Sequence, residues 1–344
     1  MAEIEIISEG YKELFGGTDL QITPLPRSGS DRRYFRINDS GKTVIGAYNP
    51  NLEENDAFVG FTNHFITQNL PVPEVFGYLP DKFVYYLKDL GDTNLYTWLH
   101  NRQDMTDFNQ ETKDLYRKII DQLILFQTKG IQGLDLDLCY PHRSFDRQSM
   151  MWDMNYFKYM LLKLLAVPFN ERNLERDFVA MSDYLLETGQ DYFLYRDFQT
   201  ANIMIVEGTP WFIDYQGGRK GAPQYDIASL LYDAKIPVKQ ENRDEILDYY
   251  IDEFCSVSHE DKEKFRGYYA GFSMIRVMQA LGAFGFRGLY EQKPTFTESI
   301  VPGVNILIHI ISQAEKHVSF PELFRTIRAI PDTQMFRNLA GQSQ

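Results

Sequence analysis

The stretch from Phe193 to Gln216, FLYRDFQTANIMIVEGTPWFIDYQ, constrains this chain more tightly than any other. Two short apolar runs, IMIV and WFI, enclose a turn-forming EGTP, which reads as a β-hairpin. Asp197 and Asn202 come just before the first run, and Asp214 just after the second. Charged side chains are rarely buried without partners. The stretch therefore either holds a cation or is a surface hairpin whose polar residues face water. A hairpin returns Asp214 to the loop that carries Asp197 and Asn202. Three oxygen-bearing groups then converge, two of them anionic. Such a set suits Mg²⁺, which is usually held by one or two carboxylates beside substrate phosphates and water.

The spacing sharpens the choice. Asp-x-x-x-x-Asn, then a strand, then a further Asp is the arrangement of the protein-kinase catalytic loop and its metal-binding aspartate. Here Tyr195 stands where that loop has His, and Asp214-Tyr215-Gln216 replaces Asp-Phe-Gly. Asp-x-x-x-x-Asn alone is common in loops, whereas the joint pattern is much more specific. Downstream, GAPQYDIASLLYDAK places Asp226 at the start of a helix, with Ile227, Leu230 and Leu231 apolar. Asp226 is expected to cap that helix, a stabilisation of about 1 kcal/mol, and also to hold the catalytic loop by accepting hydrogen bonds from its backbone.

Charge and composition narrow the partners. With 44% hydrophobic and 24% charged residues among 344, the chain reads as a folded soluble protein. A formal net charge of −13 disfavours nucleic acid or an anionic membrane as the main partner, because both reward basic patches. A nucleotide stays compatible, since a metal ion and a few arginines neutralise its phosphates locally. Cys139 and Cys255 form no CxxC pattern, and the six histidines form no HxH or HxxxH pair. Any metal site is then built on oxygen, and the compartment expected is the reducing cytoplasm. The acidic MAEIEIISEGYKELF does not read as a secretory leader. No apolar run is expected to reach the roughly 20 residues of a membrane span.

The organisation expected is α+β with two lobes. Residues 1–90 read as a small β-rich, nucleotide-binding lobe, with LQITPLP, RYFRI, KTVIGAY and FVYYLKDLG as strands. Its one helix covers Leu52 to Asn69, with Phe58, Phe61, Phe65 and Ile66 at helical spacing. Residues 91–344 read as a larger, mainly helical catalytic and substrate-binding lobe. Its helical periods are Leu115 to Thr128, Trp152 to Val167, Leu174 to Thr188, Asp244 to Phe254, Lys262 to Phe284, Ser299 to His317 and Pro321 to Ile327. The hinge falls near residues 88–92.

Five stretches, SDRRYFRI, LKDLGD, YRDFQTANIMI, FIDYQGGRKGAPQYDIASLLYD and RVMQALGAFGF, together resemble the aminoglycoside phosphotransferase and choline-kinase-like family of small-molecule kinases. Within it, the first and last resemble the bacterial kinases that phosphorylate the anomeric hydroxyl of N-acetylmuramate and N-acetylglucosamine. The resemblance implies a protein-kinase-like bilobal fold with ATP and Mg²⁺ as cofactors. It makes Asp197 the catalytic base, and Asn202 and Asp214 the metal holders. It makes Ser28, Gly29, Ser30 and Asp31 a phosphate-covering turn, and sets the backbone of Lys88, Asp89 and Leu90 against the adenine. One departure stands out. Kinases carry a lysine on the third strand that pairs with the phosphates, but KTVIGAYNP offers Gly46 and Ala47 there, and Lys42 comes too early. Either Arg33 or Arg36 supplies that charge, or DRRYFR is an exposed edge strand with solvated arginines.

Acceptor contacts are expected from several places. Arg196 and Gln199 flank the base. Arg219 belongs to the glycine-rich segment 217–221, which is either a flexible cationic loop for an anionic substrate or simply solvated. Trp152 and Asp153, with Tyr156, offer a sugar an aromatic face beside a carboxylate, although aromatics at 15% overall are usually core. Arg276 and Gln279 share a helix face, and the resemblance adds them to the substrate set. The function expected is transfer of the γ-phosphate to a cell-wall amino sugar, in cell-wall recycling. Choline, homoserine or an aminoglycoside is the alternative acceptor, and a pseudokinase-like binding module is the alternative class.

Overall fold

The computed structural model of the protein describes residues 2–26 and 32–342, so the expected turn Ser28–Asp31 lies outside the described residues. The first elements are α1 (Ala2–Phe15), β1 (Leu20–Pro24), β2 (Arg33–Asp39), β3 (Lys42–Tyr48), α2 (Leu52–Thr67), β4 (Val75–Leu79) and β5 (Val84–Lys88). Next come α3 (Leu95–Arg102), α4 (Gln110–Thr128), α5 (Arg147–Phe157), α6 (Glu171–Leu185), β6 (Tyr192–Leu194), β7 (Ile203–Val206), β8 (Thr209–Phe212) and β9 (Arg219–Gly221). Helices α7 (Gln224–Leu231), α8 (Gln240–Ser258), α9 (Lys262–Phe284), α10 (Pro294–Thr297), α11 (Ile300–Ala314), α12 (Pro321–Arg328) and α13 (Gln334–Gln342) follow.

Packing divides the chain into two compact units. The first is Met1–Gln103, Asp114–Arg143 and Tyr195–Arg219; the second is Asp104–Lys113, Ser144–Leu194 and Lys220–Gln344. A single cut after residue 90 places the β7–β8 hairpin with the helices, whereas packing groups it with the N-terminal residues. Its backbone explains why: the Ile205 amide donates to the Thr93 carbonyl at 2.8 Å, and the Phe212 amide to the Pro71 carbonyl at 2.9 Å.

In the first unit, one antiparallel sheet has the order β1-β2-β3-β5-β4. Successive strand residues point to opposite faces, and each face is covered by its own helix. Phe35 and Ile37 of β2 and Tyr86 of β5 pack with Ile7 and Tyr11 of α1. On the other face Tyr85 stacks on Phe58 of α2, with ring centroids 4.9 Å apart. Helix α2 starts where Asn51 accepts the Glu54 amide, with Glu53 and Glu54 in a first turn that favours negative charge. It buries Phe58, Phe61 and Phe65 but leaves Ile66 40% exposed, one step off the apolar face.

Three elements here differ from expectation. The small lobe carries a second helix, α1, whose Ile7 and Tyr11 lie one turn apart and are buried against the sheet. Strand β4 is an added edge. The arginine-bearing β2 is interior, between β1 and β3, and not an exposed edge strand.

The second unit is built around α9, with α5, α7 and α11 packed on it. Helix α9 has the bounds read from its periodicity, and Asp261 caps it by accepting the Lys264 amide. The expected helix from Trp152 to Val167 is in fact α5 continued by a π turn, Lys158–Leu162. A Cβ added at Gly285 would stand 1.9 Å from the Met160 carbonyl oxygen, so backbone meets backbone there. One stretch, Pro294–Ala314, is long and apolar enough by length and composition to cross a membrane, which corrects the sequence expectation. In the fold it comprises α10 and α11, and α11 turns Ile300, Val304, Leu307, Ile310 and Ile311 into the core.

Candidate active site

The site grows from the loop Tyr195–Asn202 and the end of β8, both in the first unit. The loop is wound on itself. Amides of Asp197, Gln199 and Asn202 donate in turn to the carbonyls of Tyr195, Asp197 and Gln199, at 3.1, 2.9 and 2.9 Å. The Ile213 amide then donates to the Asn202 carbonyl at 3.1 Å, and the Tyr195 hydroxyl to the Ile213 carbonyl at 2.7 Å. The residue in the place of a histidine thus fastens the loop to the residue preceding Asp214. Its ring is buried, edge-on to Phe126 and Phe198.

Asn202 Nδ2 donates to the Asp197 carbonyl at 3.0 Å and to Asp214 Oδ2 at 3.1 Å. With both amide hydrogens engaged, the carboxamide oxygen is left as an acceptor. Asp214 also accepts from Gln216 Nε2 at 2.7 Å. Arg196 and Asp214 have φ of 82° and 68°, a left-handed backbone that costs an L-residue roughly 1–2 kcal/mol and is found where function holds it in place. Among the described residues, no group of three or more His, Cys, Asp or Glu side chains forms a metal cage. The Asp214 carboxylate and the Asn202 oxygen fit Mg²⁺, which uses few protein ligands when phosphates supply the rest.

Just beyond β5, Asp89 accepts from Arg36 Nε at 2.7 Å and Nη2 at 3.0 Å, and from the Gly91 amide at 2.9 Å. Burial pushes the Asp89 carboxyl up, but the hydrogen bonds from Arg36 and Gly91 outweigh it and hold the group below the usual carboxylate range. Arg36 also pairs with Asp92 at 2.8 Å. Hydrogen bonds to Asp89 and Asp92 raise its pKa. Lys88 lies with Nζ 4.2 Å from the Trp211 ring centroid, and its amide donates to the Glu74 carbonyl; Leu90 follows Asp89 as the chain leaves the sheet.

The two candidate arginines are therefore otherwise engaged. Arg36 pairs with the carboxylates of Asp89 and Asp92. Arg33 shares the α1 side of β2 with Phe35 and Ile37, and its Nε lies 3.8 Å from Glu3 of α1. The arginine passed over in the sequence is Arg32, on the opposite side with Tyr34. It is 3% exposed. Its Nη2 donates to Glu54 Oε2 of α2 at 3.0 Å, and its Nη1 to the Tyr34 hydroxyl at 3.2 Å. Nη1 also lies 3.6 Å from Asp214 Oδ1. Burial works against the charge of Arg32, but Tyr34, Tyr85 and Asp214 outweigh it and the pKa is raised. Strand alternation in DRRYFR is the sequence signal that separates Arg32 from Arg33, once the face covered by α1 is known.

Other expected residues take definite places. Arg196 and Gln199 are half-buried on the loop Tyr195–Asn202. Arg219 is buried, not on a flexible cationic loop; it donates to the Gly217 carbonyl at 3.1 and 3.0 Å and to the Tyr140 carbonyl at 3.2 Å. In the second unit Trp152 is 45% exposed and the adjacent Asp153 is buried. Arg276 is buried; it donates to Ser229 Oγ at 2.8 Å and to Gln279 Oε1 at 3.0 Å. Asp226 is fully buried in the first turn of α7, but the cap position is Pro223, which corrects the capping role.

An N-acetylmuramate/N-acetylglucosamine kinase of Neisseria meningitidis serogroup B is 26% identical over 278 residues, 79% of this chain and 79% of that protein. A Pseudomonas aeruginosa protein of the same name is 23% identical over 233 residues, 66% of this chain and 63% of that protein. The solved structure of a Plasmodium vivax ethanolamine kinase superposes with a TM-score of 0.63 at 13% identity, covering 92% of this chain and 90% of that one. The fold is protein-kinase-like, with an antiparallel-sheet N-terminal part and a larger helical part, and the protein is an enzyme that transfers a phosphoryl group to a hydroxyl acceptor. The chain belongs to the phosphotransferase enzyme family, which matches residues 21–268. The binding-module alternative gives way to an enzyme.

Proposed function

We propose that this enzyme is an ATP- and Mg²⁺-dependent kinase for the anomeric hydroxyl of a cell-wall amino sugar, N-acetylmuramate or N-acetylglucosamine, acting in cytoplasmic cell-wall recycling. The name shared by the two bacterial relatives carries the choice of acceptor. The bond between Asn202 and Asp214 beside the Asp197 loop supports the chemistry. Two buried free cysteines are in keeping with a reducing compartment.

In this reading Asp197 accepts a hydrogen bond from the sugar hydroxyl, aims that oxygen at the γ-phosphorus and takes up its proton as the O–P bond forms. A positioned base of this kind contributes about 10²–10⁴-fold. Asp214 and the Asn202 oxygen hold Mg²⁺, which when bound neutralises phosphate charge. The backbone of Lys88–Leu90 meets the adenine, kept in shape by the Arg36–Asp89 pair.

The test is phosphorus NMR with Mg-ATP and, separately, N-acetylmuramate, N-acetylglucosamine, choline and an aminoglycoside. A new resonance split by an anomeric proton, with ADP released, is the expected result. Phosphorylation of choline or of the aminoglycoside alone would overturn the acceptor assigned here.

A further inference from the structure

We infer that Arg32 is the phosphate-binding cation of this enzyme, filling the role that kinases give to a third-strand lysine, and that Glu54 positions it. The inference rests on the kinase reading above. The third strand has no place for that lysine. Gly46 faces α1, where an added Cβ would already meet Ile7 and Ile37 at 3.1–3.2 Å. Ala47 faces the other way, but is fully buried and flanked by its register partners Tyr34 and Tyr85. The cation arrives instead from the residue preceding β2.

Its surroundings match those of the kinase lysine. In kinases a helix glutamate holds the lysine. Here Glu54 in the first turn of α2 accepts from Arg32 at 3.0 Å, and the same oxygen accepts from Asn49 Nδ2 at 2.9 Å. The helix start that sets Glu54 is itself fixed by Asn51. Toward Asp214, Nη1 stands at 3.6 Å, within Coulombic reach but beyond a hydrogen bond. A guanidinium carries five N–H donors. Nη1 and Nη2 each have a partner, whereas Nε has none among the described residues although it is buried. A buried guanidinium with donor capacity in hand, held beside the metal-binding aspartate, suits phosphate oxygens, which it binds through two parallel hydrogen bonds.

The test compares two ligands on the full chain by calorimetry: Mg-ATP, and adenosine, which has no phosphate. Arg32→Ala should weaken Mg-ATP binding about ten- to a hundredfold and leave adenosine binding unchanged. Arg32→Lys should fall between the two. Glu54→Gln should lower Mg-ATP affinity in the same direction, again with adenosine unmoved. Mg-ATP affinity unchanged in Arg32→Ala, or an equal loss for both ligands, would overturn the inference, the second by showing a packing role. If Arg32→Ala does not fold, an unchanged ratio of the two affinities in both Arg32→Lys and Glu54→Gln overturns it. Failure of the unaltered chain to bind Mg-ATP would instead remove the kinase reading itself, and this inference with it.

Discussion

The hydroxyl of Tyr195 donates a 2.7 Å hydrogen bond to the backbone carbonyl of Ile213. Tyr195 opens the loop that bears Asp197, and Ile213 immediately precedes Asp214. One phenol thus couples the loop of Asp197 to the position of Asp214 through the backbone. Tyr195→Phe keeps the ring among Phe126, Phe198 and Tyr215 but leaves that carbonyl without its donor. We expect a stability loss of about 1–3 kcal/mol, read by urea denaturation. A variant as stable as the parent would show that the bond contributes nothing net.

Asp197 lies on a loop that its own backbone hydrogen bonds hold in shape. Asp197→Asn should therefore leave the fold and nucleotide affinity intact while lowering kcat by about 10²–10⁴-fold. Steady-state kinetics paired with calorimetric titration separates the two. Turnover close to the parent's would remove Asp197 from proton transfer.

The Arg36–Asp89 pair makes stability depend on acid. The folded Asp89 carboxyl is held below its ordinary range by Arg36 and Gly91, against the effect of burial. Its contribution is then complete above the unfolded value of about 3.9 and is lost as pH falls through the lower folded value. Asp89→Asn should cost about 1–3 kcal/mol near neutral pH, and the gap to the parent should close as pH drops below about 4. Denaturation midpoints across that range check this; a gap independent of pH would place the effect elsewhere.

Gly285 lies where the end of α9 meets the π turn after α5. A methyl group there has no free space, because its nearest neighbour is the Met160 carbonyl at 1.9 Å and not a mobile side chain. Gly285→Ala should destabilise by about 3 kcal/mol or more, seen as a lower thermal midpoint. A neutral result would mean that the two backbones separate at little cost.

What the sequence determined is local in character. The hairpin, the spacing of Asp197, Asn202 and Asp214, and the run of α9 follow from neighbours close along the chain, where periodicity and turn residues act directly. Phe58, Phe61 and Phe65 announced the buried face of α2 for the same reason. The tertiary structure decided what each arginine does. Arg32, Arg33 and Arg36 look alike in DRRYFR, but α1 covers one face of the sheet and α2 the other, so adjacent residues meet opposite partners: Glu3 for Arg33, Glu54 for Arg32. Beside its glycines Arg219 reads as a substrate contact on a flexible loop or as solvated, yet it is buried against the carbonyls of Gly217 and Tyr140. The sign and distance of a charge's partner depend on contacts between residues far apart in sequence, and no local pattern carries that information.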